Sequence, residues 1–342
     1  MDQITVTIPA KRIHNAQTVT GFLMLKEAGC NVKIIDDARN ASNPFHGLPV
    51  IQVEYQGKKI IYDHWDGYPS PDTMKACLDW ADFYFKRSFS DEKNALLFPE
   101  DVGKMFPLGF NYHVTLKKSP MNDPFLKSLA KYILGKNQSS YFTPEVFEGT
   151  PSAPASVPNI IFCTRLWDPE DPSISTALQQ ERNVINDTRI SIIRSLKQQY
   201  GSAFIGGLND DPVSRKTAPD LIIPQQMTDR KHYLKALHRC DICIGSMGLH
   251  ESIGWKTAEY VAAAKAIVNE TFHYRVPGDF LPGKNYLPYH TAEECLAAVR
   301  KLVNDPQLLL EMKVANHQYY LKYLRPDVLV SNTLEIVRNL NR

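Results

Sequence analysis

The chain of 342 residues has almost no excess of charge, with 39 basic residues against 37 acidic ones and a formal net charge of +2. That excludes the broad basic field that draws nucleic acid. No apolar run approaches the roughly 20 residues a helix needs to cross a bilayer. The opening "MDQITVTIPA" lacks the basic start and apolar core of a secretory signal, so no signal peptide is expected. Cysteine is sparse, with six residues at positions 30, 77, 163, 240, 243 and 295. Cys240 and Cys243 stand in a C-x-x-C spacing, but no second cysteine pair or histidine set completes a zinc site. All six are expected as reduced, mostly buried thiols of a cytoplasmic protein. Also missing are the G-x-G-x-x-G dinucleotide fingerprint, the G-x-x-x-x-G-K-[ST] phosphate loop, the G-x-S-x-G elbow and any repeat of clear period. These absences count against NAD enzymes, P-loop NTPases and standard esterases.

The length suits two domains, and the pattern agrees. "ITVTIPA", a helical stretch over 15–29 closed by Gly29, and "NVKIID" form a β-α-β opening, which predicts a parallel sheet. "LPVIQVEYQGKKIIYDHWDGY" reads as two strands turned at Gln56-Gly57. "ADFYFKRSF" and "FPLGFNYHV" read as further strands, and a helix is expected near 124–135. The stretch 141–158, with four prolines among Ser, Ala and Gly, reads as a linker. The alternation then restarts: strands at "NIIFCTRLW", "SAFIGG", "LIIP", "DICIGS" and "AIVNE" are interleaved with helices, the longest over 173–200. The expectation is an α/β chain of two doubly wound, Rossmann-like domains, 1–140 and 159–325, with a terminal helix over 326–342 returning to the first domain. Such a pair would hold its ligand at the carboxyl ends of its strands, in an interdomain cleft.

The densest chemistry lies in "CDICIGSMGLHESIGWKTAEY". A strand ends near Gly245-Ser246, a loop carries Gly248, His250 and Glu251, and a helix is expected from about Ser252 or Ile253. N–H groups at a helix start, with Gly254 allowing close approach, suit a diphosphate. Glu251 and Glu259 stand eight positions apart, and a carboxylate accepts hydrogen bonds from a sugar diol. The plainer alternative makes Glu259 a helix surface residue and Ser252 an ordinary N-cap.

The paired glutamates, "ESIG", and the order "CDICIG", loop, Glu-bearing helix and "AAKAIV" resemble the group-1 glycosyltransferases of the GT-B fold, which use nucleotide sugars. The resemblance covers about 159–325; in the first half it is architectural. It implies that Arg165, in "TRLW", neutralises the donor diphosphate and that Ser252, Ile253 and Gly254 offer backbone N–H groups to it. It implies further that Glu259 holds the ribose and Glu251 contacts the transferred sugar. The family's lysine shortly after that arginine is absent from "WDPEDPS", and Lys256 is the substitute candidate. The family's glycine pair in the first loop is replaced by "PAKRIHN". No metal or cofactor is implied, only a nucleotide-diphosphate sugar as donor substrate.

The acceptor, a saccharide or lipid-linked molecule, falls to the first domain. "IIYDHWDGYPSP" sets Asp63, His64 and Asp66 beside Trp65 and Tyr68, acids and an imidazole next to rings, as carbohydrate sites require. In an inverting enzyme Asp63, His64 or Asp66 would be the general base; in a retaining one they only position the acceptor. A strand end with a turn is the equal alternative. Arg12 and His14 lie in the first βα loop, at a strand's carboxyl end. Arg182 and Asn186 share one helix face, and Lys284 and Asn285 fall in a loop that could flank the donor. The reading is glycosyl transfer in surface polysaccharide synthesis, with a nucleotide-sugar epimerase or a non-catalytic saccharide-binding scaffold as rivals. The pairs Lys11-Arg12, Lys86-Arg87 and Lys117-Lys118 would suit a cytoplasmic protein resting on the inner face of a membrane, with solvated surface charge as the alternative. Neither donor identity nor oligomeric state is legible.

Overall fold

The computed structural model describes residues 2–122 and 142–340. They form two compact units: Met1–Phe147 with Tyr274–Gly278 and Leu321–Arg342, and Glu148–His273 with Asp279–Tyr320. The helix expected near 124–135 lies outside the described residues.

The first unit holds a six-stranded sheet in the order β2-β1-β3-β4-β5-β6. Strand β1 (Ile4–Ile8) runs through helix α1 (Ala16–Glu27) to β2 (Val32–Asp36), its parallel neighbour. Strands β3 (Val50–Tyr55) and β4 (Lys58–Asp63) form a hairpin. Its two central residues, Gln56 and Gly57, have φ of 51° and 73°, the left-handed geometry a tight hairpin turn demands. So short a turn can only join antiparallel neighbours. Strand β3 therefore lies antiparallel between β1 and β4, and the sheet is mixed, not the parallel one expected. Helix α2 (Pro71–Trp80) leads to β5 (Phe83–Lys86), and α3 (Asp91–Leu97) to β6 (Met105–Pro107), both parallel to β4. Strand β6 stops at Pro107, short of the stretch expected to be extended. The last helix, α9 (Pro326–Leu340), buries Leu329, Val330, Leu334 and Val337 against Val19 and Phe22 of α1. A Cβ on Gly21 would stand 2.1 Å from the Pro326 carbonyl oxygen, so only glycine lets these helices approach so closely.

The second unit holds five parallel strands in the order β11-β10-β9-β7-β8: β7 (Ile160–Thr164), β8 (Phe204–Leu208), β9 (Ile242–Gly245), β10 (Ala266–Glu270) and β11 (Leu287–Tyr289). "LIIP" contributes a single bridge, Leu208 to Ile222. The connecting helices are α4 (Thr176–Tyr200), α5 (Arg230–Arg239), α6 (Trp255–Ala262), α7 (Ala292–Asn304) and α8 (Pro306–Tyr319). Strands β7 and β9 are buried almost throughout, as a covered parallel sheet requires. The chain leaves β7 for β8 on one side and reaches β9 on the other. The carboxyl ends of β7 and β9 are thus a topological switch point, where such sheets open a crevice. Five of the six cysteines are buried and all are free thiols. Among the described residues no helix is long and apolar enough to cross a membrane.

Candidate active site

A pocket of about 290 Å³ opens at that switch point. Four cationic side chains line it, Arg165, Arg189, Arg230 and Lys256, against one carboxylate, Glu259. With all five ionised the lining carries a formal +3, the balance a diphosphate calls for.

Each of these is placed by the fold. Helix α4 carries Arg182, Asn186 and Arg189 at helical spacing, on one face. Asn186 pins the loop after β7, accepting from the Trp167 N–H at 2.9 Å and donating to the Trp167 carbonyl at 2.8 Å. Arg182 donates to the Asp168 carbonyl. Both therefore build the loop that carries Arg165, whose guanidinium lies 4.0 Å from the Trp167 ring centroid. Arg189 is buried and donates to Ser246 Oγ (3.0 Å), the Arg165 carbonyl (2.7 Å) and the Met247 carbonyl (2.9 Å). It clamps the ends of β7 and β9 together. Burial pushes its guanidinium down to about 10, opposed by the Glu270 carboxylate. Glu270 accepts from the Met247 N–H, and burial raises its own pKa.

The crevice needs Gly245: a Cβ there would lie 1.8 Å from Asn269 Oδ1. Helix α6 starts at Trp255 with Gly254 as its N-cap. This corrects the expected start at Ser252 or Ile253. Those two residues precede the helix and are buried, and the Ser252 N–H is spent on the Leu249 carbonyl at 3.2 Å. The helix end facing the pocket is formed by Gly254, Trp255, Lys256 and Thr257. Lys256 donates to the Cys163 carbonyl and sits 4.7 Å from the Tyr233 ring centroid; burial lowers its pKa.

Glu259 is 1% exposed. Its Oε1 accepts from Arg230 Nη2 at 2.7 Å, while Oε2 has no hydrogen-bond partner among the described residues. Arg230 is held at the first position of α5 by Asp229, whose carboxylate accepts from the Lys231 and His232 N–H groups. Glu251 is elsewhere. It is half-exposed, 3.8 Å from His273, and does not line the pocket, so the two glutamates do not share it. His250 and Glu251 have φ of 59° and 58°, left-handed values costly for residues with a Cβ. Asn285 is buried against Asn316 and braces its own loop.

In the first unit the candidates gather at the carboxyl ends of β1, β4 and β5, with a sharp division between sealed and accessible groups. Asp63 is fully buried. It pairs with Lys86 at 2.8 Å and accepts from the Tyr84 hydroxyl (2.8 Å) and the Trp65 N–H (2.8 Å). Fully buried and held by three donors, it is out of a substrate's reach, which corrects its reading as a base: it fixes the strand end. His64 is also buried, between Thr18 Oγ1 at 3.1 Å and Asn111. Burial, then the charges of Arg87 and His14, hold its pKa well below the ordinary value, so it stays neutral and internal. Asp66 is accessible, paired with Arg87 and 3.7 Å from His14. Arg12 donates to the Gly47 carbonyl at 3.0 Å. The Tyr68 hydroxyl donates to Asn94 at 2.6 Å while its ring faces Lys86, and Trp65 packs beside it against the core under α2.

Sequence reasoning missed Arg189 and Arg230. Arg189 continues the face of Arg182 and Asn186, a signal that was available. Arg230 had no signal beyond its place after a helix-capping aspartate.

No family model and no curated protein matches the chain. Among solved structures 108 chains match. A glycosyltransferase from Rickettsia africae ESF-5 is 13% identical, over 83% of this chain and 70% of that one, with a TM-score of 0.46. HepE from Anabaena, solved with UDP, is 11% identical over 80% and 69%, with a TM-score of 0.40. TarM from S. aureus, solved with UDP and alpha-GlcNAc-glycerol, is 11% identical over 80% and 50%, with a TM-score of 0.45. At these values the likeness bears on no individual residue of the pocket.

Proposed function

We propose that this protein is a glycosyltransferase that moves a sugar from a nucleotide-diphosphate donor to a hydroxyl of a saccharide or lipid-linked acceptor. The observation that carries the reading is the pocket at the β7/β9 switch point. It combines four cations, the start of α6 and a buried carboxylate with one unpartnered oxygen. A nucleoside diphosphate matches each part: its phosphates meet Arg165, Lys256 and the helix end, and a ribose hydroxyl donates to Glu259 Oε2. In the transfer, the bond from the sugar's anomeric carbon to the diphosphate oxygen breaks and its electron pair stays on the diphosphate. The acceptor oxygen bonds to the anomeric carbon and loses its proton. Arg165 and Lys256 stabilise the charge that develops on the leaving group. Among the described residues lining the pocket the only carboxylate is Glu259, which Arg230 engages; in this reading the leaving diphosphate oxygen takes that proton. Asp66 and His14 offer the first unit's hydroxyl-binding chemistry.

The test is release of nucleoside diphosphate from a panel of UDP-, GDP-, ADP- and TDP-hexoses in the presence of mixed saccharide acceptors. One donor should be consumed by the wild type, and Arg165→Ala should slow it by about 100-fold or more, the scale of losing one donor to a developing anion. Consumption of none, or equal rates in the variant, refutes the reading.

A further inference from the structure

Arg165 is held by a ring and not by a carboxylate. It is exposed, and among the described residues its guanidinium makes no hydrogen bond and no ion pair; it lies 4.0 Å from the Trp167 ring centroid. The loop it opens is nevertheless rich in acids, with Asp168, Glu170 and Asp171 close behind it in the chain. Each is engaged elsewhere. Asp168 accepts from the Glu170 N–H at 2.9 Å, and Glu170 pairs with Lys216 at 2.6 Å. Asp171 accepts from the Ser173 N–H and hydroxyl at 2.9 and 2.6 Å and stands 3.5 Å from Arg182. Trp167 itself is fixed. Asn186 holds both its N–H and its carbonyl, and Arg182 stands 5.9 Å from its ring centroid. Arg165 and Trp167 both line the pocket.

We infer that Trp167 is the positioning residue of Arg165: its ring holds the guanidinium ready for the diphosphate while the loop's own acids are kept off it. The inference rests on the nucleotide reading of the same pocket and deepens it. A carboxylate partner would take up N–H groups and offset the charge. The face of an indole holds a guanidinium and leaves its charge and its N–H groups unspent. An incoming anion then meets a cation already in place, and the entropy of ordering a long side chain is not lost at the moment of binding. The same arrangement suits a leaving group, because donors fixed beforehand need no reorganisation as charge develops.

The experiment is isothermal titration of the full chain with uridine, guanosine and adenosine diphosphates. It compares the wild type with Trp167→Phe, Trp167→Leu, Arg165→Ala and the double variant Arg165→Ala/Trp167→Leu. For whichever diphosphate binds, Trp167→Leu should weaken it about 10-fold, which corresponds to about 1.4 kcal/mol. Trp167→Phe, which keeps a ring face, should stay within about 3-fold of the wild type. In the Arg165→Ala background Trp167→Leu should cost nothing further, because two residues acting through one contact are not additive. Thermal melts without ligand confirm that each variant is folded. A second measurement needs no Trp167 variant: the Arg165 Nε–H proton resonance of the ligand-free wild type, assigned by its loss in Arg165→Ala, should lie upfield of the ordinary arginine range under the ring current. Unchanged binding in Trp167→Leu, an equal loss with and without Arg165, a Phe variant as weak as the Leu variant, or an unshifted Arg165 resonance overturns the inference while leaving nucleotide binding intact. Absence of any nucleoside diphosphate binding overturns the reading beneath it as well.

Discussion

Replacing Glu259 by glutamine keeps the shape of the side chain and removes its charge. In the ligand-free protein two terms oppose each other. The Arg230 bond at 2.7 Å changes from an ion pair to a bond from the guanidinium to a neutral amide oxygen, a loss of about 1–1.5 kcal/mol. Against this, the unpartnered position on a residue 1% exposed no longer carries part of a buried charge, and an unmade buried hydrogen bond costs about 1–3 kcal/mol, more when charged. Arg230 is 28% exposed, so water replaces part of what it loses. The net change is within about 1 kcal/mol, or a few degrees in melting temperature. Differential scanning calorimetry of the wild type and Glu259→Gln without ligand reads it. A fall of more than about 3 kcal/mol would refute the reasoning, because it would make Glu259 and Arg230 a structural core pair whose open oxygen is incidental.

Other variants test the remaining parts of the account. Gly245→Ala forces a methyl onto Asn269 Oδ1, which accepts from Thr257 Oγ1 at 3.1 Å; overpacking plus that lost bond should cost about 2–4 kcal/mol in guanidinium unfolding. Lys86→Met strands the fully buried Asp63 and should cost about 3–5 kcal/mol, most of it recovered in Lys86→Met/Asp63→Asn, where no charge is left unpaired. His64, held neutral by burial, takes up a proton in the unfolded chain first. Its contribution is therefore complete above about pH 6.5 and is lost as pH falls, at about 1.4 kcal/mol per pH unit until the folded form titrates. His14, lowered by its own burial, adds in the same direction. Melting temperature should drop from pH 7 to 5, and His64→Gln should flatten that drop; an unchanged profile would count against the burial argument.

Much of the architecture is legible in the residues. The switch from β to helical periodicity marks β1-α1-β2 and β7 to β10 of the second unit, and Gln56-Gly57 marks the hairpin; the short β11 was not marked, and "LIIP" is a bridge, not a strand. That same turn implies the antiparallel β3, so the mixed sheet was readable from a turn too short for a crossover. The pocket was legible where chemistry and chain order coincide. Arg165, Gly254, Lys256 and Glu259 follow strand ends or open a helix, and all line it. What was illegible depends on burial and partners. Asp63 reads as a reactive acid until Lys86, 23 positions away, is found on it. Glu251 is legible as a loop residue, but not that it stands 3.8 Å from His273 and does not line the pocket. Arg230 reaches Glu259 across 29 positions of chain, which no local pattern encodes.

The most direct measurement is thermal shift of the wild type and Glu259→Gln against UDP, GDP, TDP, ADP and CMP. A ligand that binds only the folded state raises its melting temperature by mass action. The account predicts that at least one nucleoside diphosphate stabilises the wild type and that Glu259→Gln, folded to the same degree, loses most of that shift. No shift with any nucleotide, or an equal shift in the variant, would contradict the claim that this pocket holds a nucleoside diphosphate through Glu259.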